Sequence, residues 1–272
     1  MERGAFLVRF VLDVHAVWLF AVLVAVASGW LSILCLSLFA HRSIAHRAVV
    51  FHPIVAHPMR FWLWLTTGTA TRRWVAVHRK HHIHTDRIGD PHSPVVHGLA
   101  RVFFLGYWLY RSEATDPTTI AAHGSNCPDD WLERHLYERH DNLGLVLLLA
   151  IDVLVLGTPG LLAFGIQLIW LGLWAAGVIN GLGHAFGYRN FDTKDASRNI
   201  VPIAVAVSGE ELHNNHHRWP RSAKFSVRRW EIDIGWLVIR ALNALGLARA
   251  IYVRNRRWPH ADSEHEEIQD AA

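Results

Sequence analysis

The sequence predicts an all-α integral-membrane protein, made of transmembrane helical hairpins with about four passes beneath a helical cap that faces the cytoplasm. Three observations carry this expectation. Of the 272 residues 51% are hydrophobic and only 18% charged, poorer in charge than an ordinary soluble domain. Two apolar stretches, residues 5–40 and 143–179, are long enough to cross about 30 Å of hydrocarbon. After Arg3 and Arg9, every Lys and Arg falls between His41 and His140 or beyond Gly183. The positive-inside rule then puts those two segments together on the cytoplasmic side.

In chain order, the first apolar stretch reads either as one crossing over His15 to Ala40 or as a tight pair of short crossings over 5–40, with Arg9 and Asp13 inside the first; the pair is preferred because it returns His41 to the side of Met1. Ala25-Val26-Ala27 has the look of a leader cleavage site, but cleavage would place the cap outside, against the charge distribution. A Trp-rich amphipathic region follows over Met59 to Val77, and Asp129 to Arg134 reads as the start of a surface helix. Residues 143–179 form a second hairpin that turns at Gly157-Thr158-Pro159-Gly160. From Trp230 to Val253, Trp236, Ile239, Leu242 and Leu245 alternate with Arg240 and Arg249 as on an amphipathic helix lying at a membrane surface. Residues 1–258 thus form one membrane-embedded domain, with its cap in 41–140 and 183–258; 259–272 is a charged tail of disordered composition.

The net charge of +4 comes without a helix-turn-helix, zinc-finger or RNP pattern, which excludes nucleic acid as a partner. Two cysteines, Cys35 and Cys127, supply neither a disulfide framework nor a CxxC pair. Histidine is the unusual residue, with 20 in the chain. They gather where the apolar stretches end: His41 and His46, then His78, His81 and His82, then His184, then His213, His216 and His217.

At this frequency HxxxxH arises by chance roughly once, so His41 and His46 alone say little. HxxHH arises by chance on the order of 0.1 times, and the chain has two copies. On a helix, residues i, i+3 and i+4 share a face, so each triplet projects together and can serve a metal. His41 and His46, at i and i+5, diverge by about 140° on a regular α-helix, and need an unwound turn or two different metals. His92 sits in Asp90-Pro91-His92-Ser93-Pro94, which reads as a proline-fixed turn. His15, His52, His57, His84, His97, His123, His135, His140, His260 and His265 read as solvated or capping residues. Imidazole suits Zn, Cu, Fe and Ni, and eight or nine ligands exceed what one ion uses, so two ions are expected. A dinuclear redox centre beside a membrane suits the activation of O2 against an unactivated C–H bond.

The segments HRSIAHR (41–47), FWLWLTTG (61–68), WVAVHRKHH (74–82), DPHSP (90–94), GVINGLGH (177–184) and GEELHNNHHRWPRSAKF (209–225) resemble the membrane fatty acyl desaturases, and most of all their short bacterial acyl-CoA branch. The resemblance covers His41 to Leu247. It implies a bundle of transmembrane helices under a cytoplasmic cap, in the inner membrane of a bacterium. It further implies two irons held by His41, His46, His78, His81, His82, His184, His213, His216 and His217. Asn180 matches an asparagine that approaches a metal through water, and Trp74 an aromatic residue near the substrate channel. The implied reaction is O2-dependent formation of a cis double bond in a long acyl chain, as acyl-CoA. The chain has no haem, ferredoxin-type Cys or GxGxxG pattern, so electrons come from a separate carrier, ferredoxin-like or cytochrome b5-like with its reductase. Arg218, Arg221, Lys224, Arg228 and Arg229 form a basic set that can receive an acidic carrier or a CoA phosphate, or simply anchor the cytoplasmic face. A hydroxylase or acetylenase of the same His-box group is the nearest alternative. A His-rich membrane metal-binding protein is the distant one, because its ligands would lie near the bilayer midplane.

Overall fold

In a computed structural model the described residues are 2–253, with side chains from residue 15 onward; the charged tail expected over 259–272 lies outside them. Helix α1 (Glu2–Cys35) runs without interruption into a π-helical segment, Leu36–Ala45. The paired crossing expected over 5–40 is therefore a single rod. No proline interrupts it, and Gly29, its one central glycine, is used for packing: a Cβ there would stand 2.5 Å from the Trp170 ring. At 1.5 Å per residue the rod is about 65 Å long, about twice the thickness of a bilayer's hydrocarbon core.

Strand β1 (Val49–Phe51) leads to α2 (Pro53–Thr67). His52 caps α2 by accepting from the Ile54 N–H, Pro53 opens it, and Gly68 at φ +61 closes it. That left-handed cap divides the Trp-rich region, and α3 (Thr71–His84) rises from the break. Three further helices follow: α4 (Pro94–His97), α5 (Leu99–Ala114) and α6 (Pro117–His123). The Asp129 to Arg134 segment enters a short π-turn at Glu133–Tyr137. Its start carries a buried charge: Glu133 faces Arg60, and burial pushes its carboxyl up to about 7 despite that cation.

Helices α7 (Asp141–Leu156) and α8 (Pro159–Leu171) form the second hairpin, and α8 continues as a π-helix over Gly172–Leu182. Ala21 and Ala25 of α1 pack on Leu156 and Ala163, small residues that let the three rods approach closely. His15–Ala45 and Pro159–Leu182 are each long and apolar enough to cross a membrane; α7, at 16 residues, is shorter. Leu19, Phe20, Leu154, Val155 and Leu161 on these rods are exposed, as lipid-facing residues are.

The remainder is irregular, with β2 (Ile203–Ala204), α9 (His213–Arg218), β3 (Ile232–Asp233), α10 (Ile234–Ala244) and β4 (Ala248–Ala250). β2 pairs parallel with β3, and β4 returns antiparallel to β1 with Val50 opposite Arg249. The helix expected from Trp230 to Val253 thus covers only Ile234–Ala244. Gly246, at φ +72, ends it and sends Arg249 into a strand.

Candidate metal centre

The nine histidines set out above converge in the cap as two groups. His41, His46, His78, His82 and His216 form one; His81, His184, His213 and His217 form the other. In each group one ligand atom per residue lies within 4.8 Å of all the others. None of the remaining histidines with described side chains enters either group.

The π-winding of Leu36–Ala45 solves the spacing of the first pair. The His46 N–H donates to the His41 carbonyl at 3.1 Å, an i→i+5 bond that stacks residue i+5 above residue i. The two rings stand 4.8 Å apart between centroids, where a regular α-helix would splay them. The triplets do not each serve one site. Residues i and i+4 are about 40° apart on a helix, with i+3 on the other side, so each HxxHH divides. His78 and His82 of α3 join the first group while His81 turns to the second; His213 and His217 of α9 join the second while His216 turns to the first.

Distances between ring nitrogens fit a coordination shell. His41 and His216 bring their Nε2 atoms to 3.1 Å, His82 and His216 to 3.0 Å, and His46 and His78 to 2.8 Å. In the second group His184 and His213 are at 3.0 Å, and His213 and His217 at 3.1 Å. Two nitrogens bound at 2.0–2.1 Å and at right angles are about 3 Å apart. A hydrogen bond needs one donor and one acceptor, which a ring of five such nitrogens cannot supply pairwise. The His81 Nε2, buried with no partner, is the orphan that a metal would satisfy.

Carboxylates hold four of the rings from behind. Nδ1 of His41 lies 2.8 Å from Glu210, that of His81 3.0 Å from both oxygens of Asp90, that of His184 2.9 Å from Asp86, and that of His217 3.1 Å from Asp195. This fixes the tautomer with Nε2 free for a metal. Burial works against these acids, but their imidazole partners outweigh it and hold Asp86, Asp90, Asp195 and Glu210 below the usual carboxylate range. Burial in turn drives His78, His82, His213 and His216 well below the ordinary imidazole value, and His217 to about 4 although Asp195 opposes it. Neutral imidazole is the metal-binding form.

Sequence reasoning overlooked these four carboxylates. Asp90, inside DPHSP, and Glu210, three residues before His213, had a signal in their proximity to motif residues. Asp195, 22 residues from His217, had none. His92, read as part of a turn, is also buried at the site. Its ring lies 4.7 Å from that of His81 and neither of its nitrogens has a partner. The turn is there too, made by Asp90 accepting from the His92 N–H and by Ser93 capping α4.

Trp74 stacks on His78, with centroids 4.8 Å apart and planes within 9°. It lines a cavity of about 610 Å³ together with His41, His78, His213 and Asn180. Among the described residues Asn180 makes no side-chain hydrogen bond to a histidine; its place is the cavity wall. From there the cavity descends between α1, α5 and α8 past Ile33, Phe103, Ala176 and Leu171. Its flank meets the surface at Phe104, Trp108 and Ile169, three exposed apolar side chains.

A family model described as fatty acid desaturase matches residues 16–250. The chain is 35% identical over 189 residues to the sn-2 palmitoyl-lipid 9-desaturase of Nostoc sp. (strain 36), a match covering 65% of this chain and 62% of that protein. It is 32% identical over 199 residues to the hex-5-enoyl-(acyl-carrier protein) acetylenase of Moorena producens (strain JHB), covering 64% and 59%. It is 34% identical over 185 residues to the acyl-CoA 5-desaturase AL21 of Anemone leveillei, covering 66% and 55%. The chain spans about three fifths of the length of these curated relatives.

Proposed function

The chain belongs to the fatty acid desaturase family, and from that premise we propose that it introduces a double bond, cis in geometry, into a long-chain acyl substrate at a centre of two irons. The observation that carries this reading is the cavity itself. One continuous space is walled by apolar side chains of the membrane rods at one end and by His41, His78 and His213 at the other. In balance, the saturated chain, O2, two electrons and two protons give the alkene and two molecules of water. The electrons come from a separate carrier docking on the cap, ferredoxin-like or cytochrome b5-like with its reductase.

When bound, the iron pair supplies activation of O2 and removal of hydrogen from adjacent methylenes. The residues that would hold it are the nine histidines, five to one ion and four to the other, with Asn180 reaching through water. Glu210, Asp90, Asp86 and Asp195 orient the rings. Trp74, stacked on His78, forms the wall against which the reacting carbons lie, and the apolar lining excludes water. A polymethylene chain has no polar handle, so the fit of its length to the cavity selects the bond that meets the metals.

The proposed substrate form is acyl-CoA, presented from the cytoplasmic side. One observation favours a second reading, a lipid-linked chain: the cavity flank at Phe104, Trp108 and Ile169 opens where the α8 rod is exposed, with Arg73 and Arg111 beside it. Relatives are named for each form, an acyl-CoA 5-desaturase for the first and an sn-2 palmitoyl-lipid 9-desaturase for the second.

Expression in a desaturase-deficient host, with mass spectrometry of CoA esters and glycerolipids and metal analysis of the purified protein, tests the proposal. An alkene with two irons per chain is expected, and its first appearance in CoA esters or in glycerolipids separates the two forms. A hydroxylated or alkynyl product without an alkene, or zinc in place of iron, would overturn it.

A further inference from the structure

The lower end of the acyl cavity is polar. Gln167 of α8 lines it while being only 5% exposed, and Asp152 of α7, equally buried, stands beside it. Both lie within apolar helices, where an ionisable or amide side chain is costly and marks a function by default. Each keeps one acceptor without a partner, Oδ2 of Asp152 and Oε1 of Gln167.

Past this pair the bundle is shut. Gly160 lies so close to Asp152 that a Cβ there would come within 2.2 Å of its carbonyl oxygen. Ala21, Ala25, Leu156 and Ala163 fill the space between the rods with almost no exposure. Above it, the helical rise sets Gln167 roughly 15–20 Å below Asn180, on the same rod. An acyl chain reaching down from the metals therefore meets an amide at the end of an apolar shaft. Its terminal methyl offers no donor to the free acceptors, and going further would press apolar carbon against two buried polar side chains of neighbouring helices.

We propose that Gln167, with Asp152 buried beside it, is the floor of the acyl cavity and fixes how many carbons lie beyond the reacting bond. This rests on the acyl reading of the preceding subsection. It assigns chain-length selection to a polar stop within the membrane and not to bulk among the apolar lining residues.

The test is competition among a graded series of saturated acyl chains, with the alkenes quantified by mass spectrometry for wild type, Gln167→Ala and Gln167→Asn. Each methylene newly accommodated is worth about fourfold in specificity. Gln167→Ala should therefore raise the preference for a chain two carbons longer by about fifteenfold, and Gln167→Asn, one carbon shorter in reach, should raise it about fourfold for a chain one carbon longer. Should Gln167→Ala fail to accumulate, Gln167→Asn carries the decision. Variants that desaturate with the wild-type length profile would overturn the floor while leaving the proposed function intact. A wild-type protein that makes no alkene from any chain would overturn both.

Discussion

The Nδ1 of His41 stands 2.8 Å from Oε1 of Glu210, and the same carboxylate is bound by Ser37 and by Arg42, whose side chain is fully buried. Glu210 thus connects the first metal group to the fold beneath it. Glu210→Gln keeps the shape but removes the charge that raises the basicity of the ring. It should weaken metal binding at that group by about 10- to 100-fold. Chelator competition on the purified protein checks this, and an unchanged loading curve would show that the carboxylate has no part in holding the ring.

His216 is the ring shared most closely in the first group, about 3 Å from both His41 and His82 through Nε2. His216→Ala should abolish desaturation and reduce iron towards one per chain, because the His81, His184, His213 and His217 group stays whole. Retained activity with two irons would remove His216 from the ligand set.

The two HxxHH triplets and the membrane character were legible in the sequence because composition and spacing bear on them directly. How the site is assembled was not. That His41 and His46 share one group depends on a π-helical turn, and the α-helical period of 3.6 residues argues against it. Each triplet divides between two groups because α3 and α9 approach from different sides, which no local pattern records. For the first apolar stretch one crossing and a pair were both open, the pair preferred to bring His41 back to the side of Met1, whereas the fold resolves it as one rod with Gly29 against Trp170. The helix expected to reach Val253 was overextended because Arg249 kept the amphipathic rhythm after Gly246 had broken the backbone. The second hairpin with its turn at 157–160 was legible from glycine and proline alone.

The buried imidazoles give the metal-free protein a pH dependence of definite sign. In the folded chain burial keeps His78, His82, His213 and His216 neutral far below their ordinary value, and His217 down to about 4. In the unfolded chain they titrate near 6.5. Between those limits the unfolded state binds more protons, so stability is complete above about pH 6.5 and falls as the pH drops towards 4. Each such histidine contributes a slope of about 1.4 kcal/mol per pH unit. Thermal unfolding of chelator-treated protein in detergent should show a midpoint that drops steeply below pH 6.5, and iron should restore it. A midpoint flat from pH 7 to 5 would contradict the burial.

Arg42 supplies the most severe stability prediction. Its guanidinium is 3.1 Å from Asp233 and 3.4 Å from Glu210, donates to the carbonyls of Ala223 and Ser208, and lies 3.8 Å from the centre of the Phe225 ring. Asp233 in turn caps α10 by accepting from the Trp236 N–H and binds the Phe225 N–H. Arg42→Met retains most of the apolar stem but strands two carboxylates in a buried site, a loss of about 3–5 kcal/mol. Both Glu210, behind His41, and the α10 cap would be disturbed together. Pairing Arg42→Met with Asp233→Asn removes one of the stranded charges and should recover part of the lost stability, whereas independent contributions would simply add. The unfolding midpoints of the two single variants and the double variant decide between those outcomes.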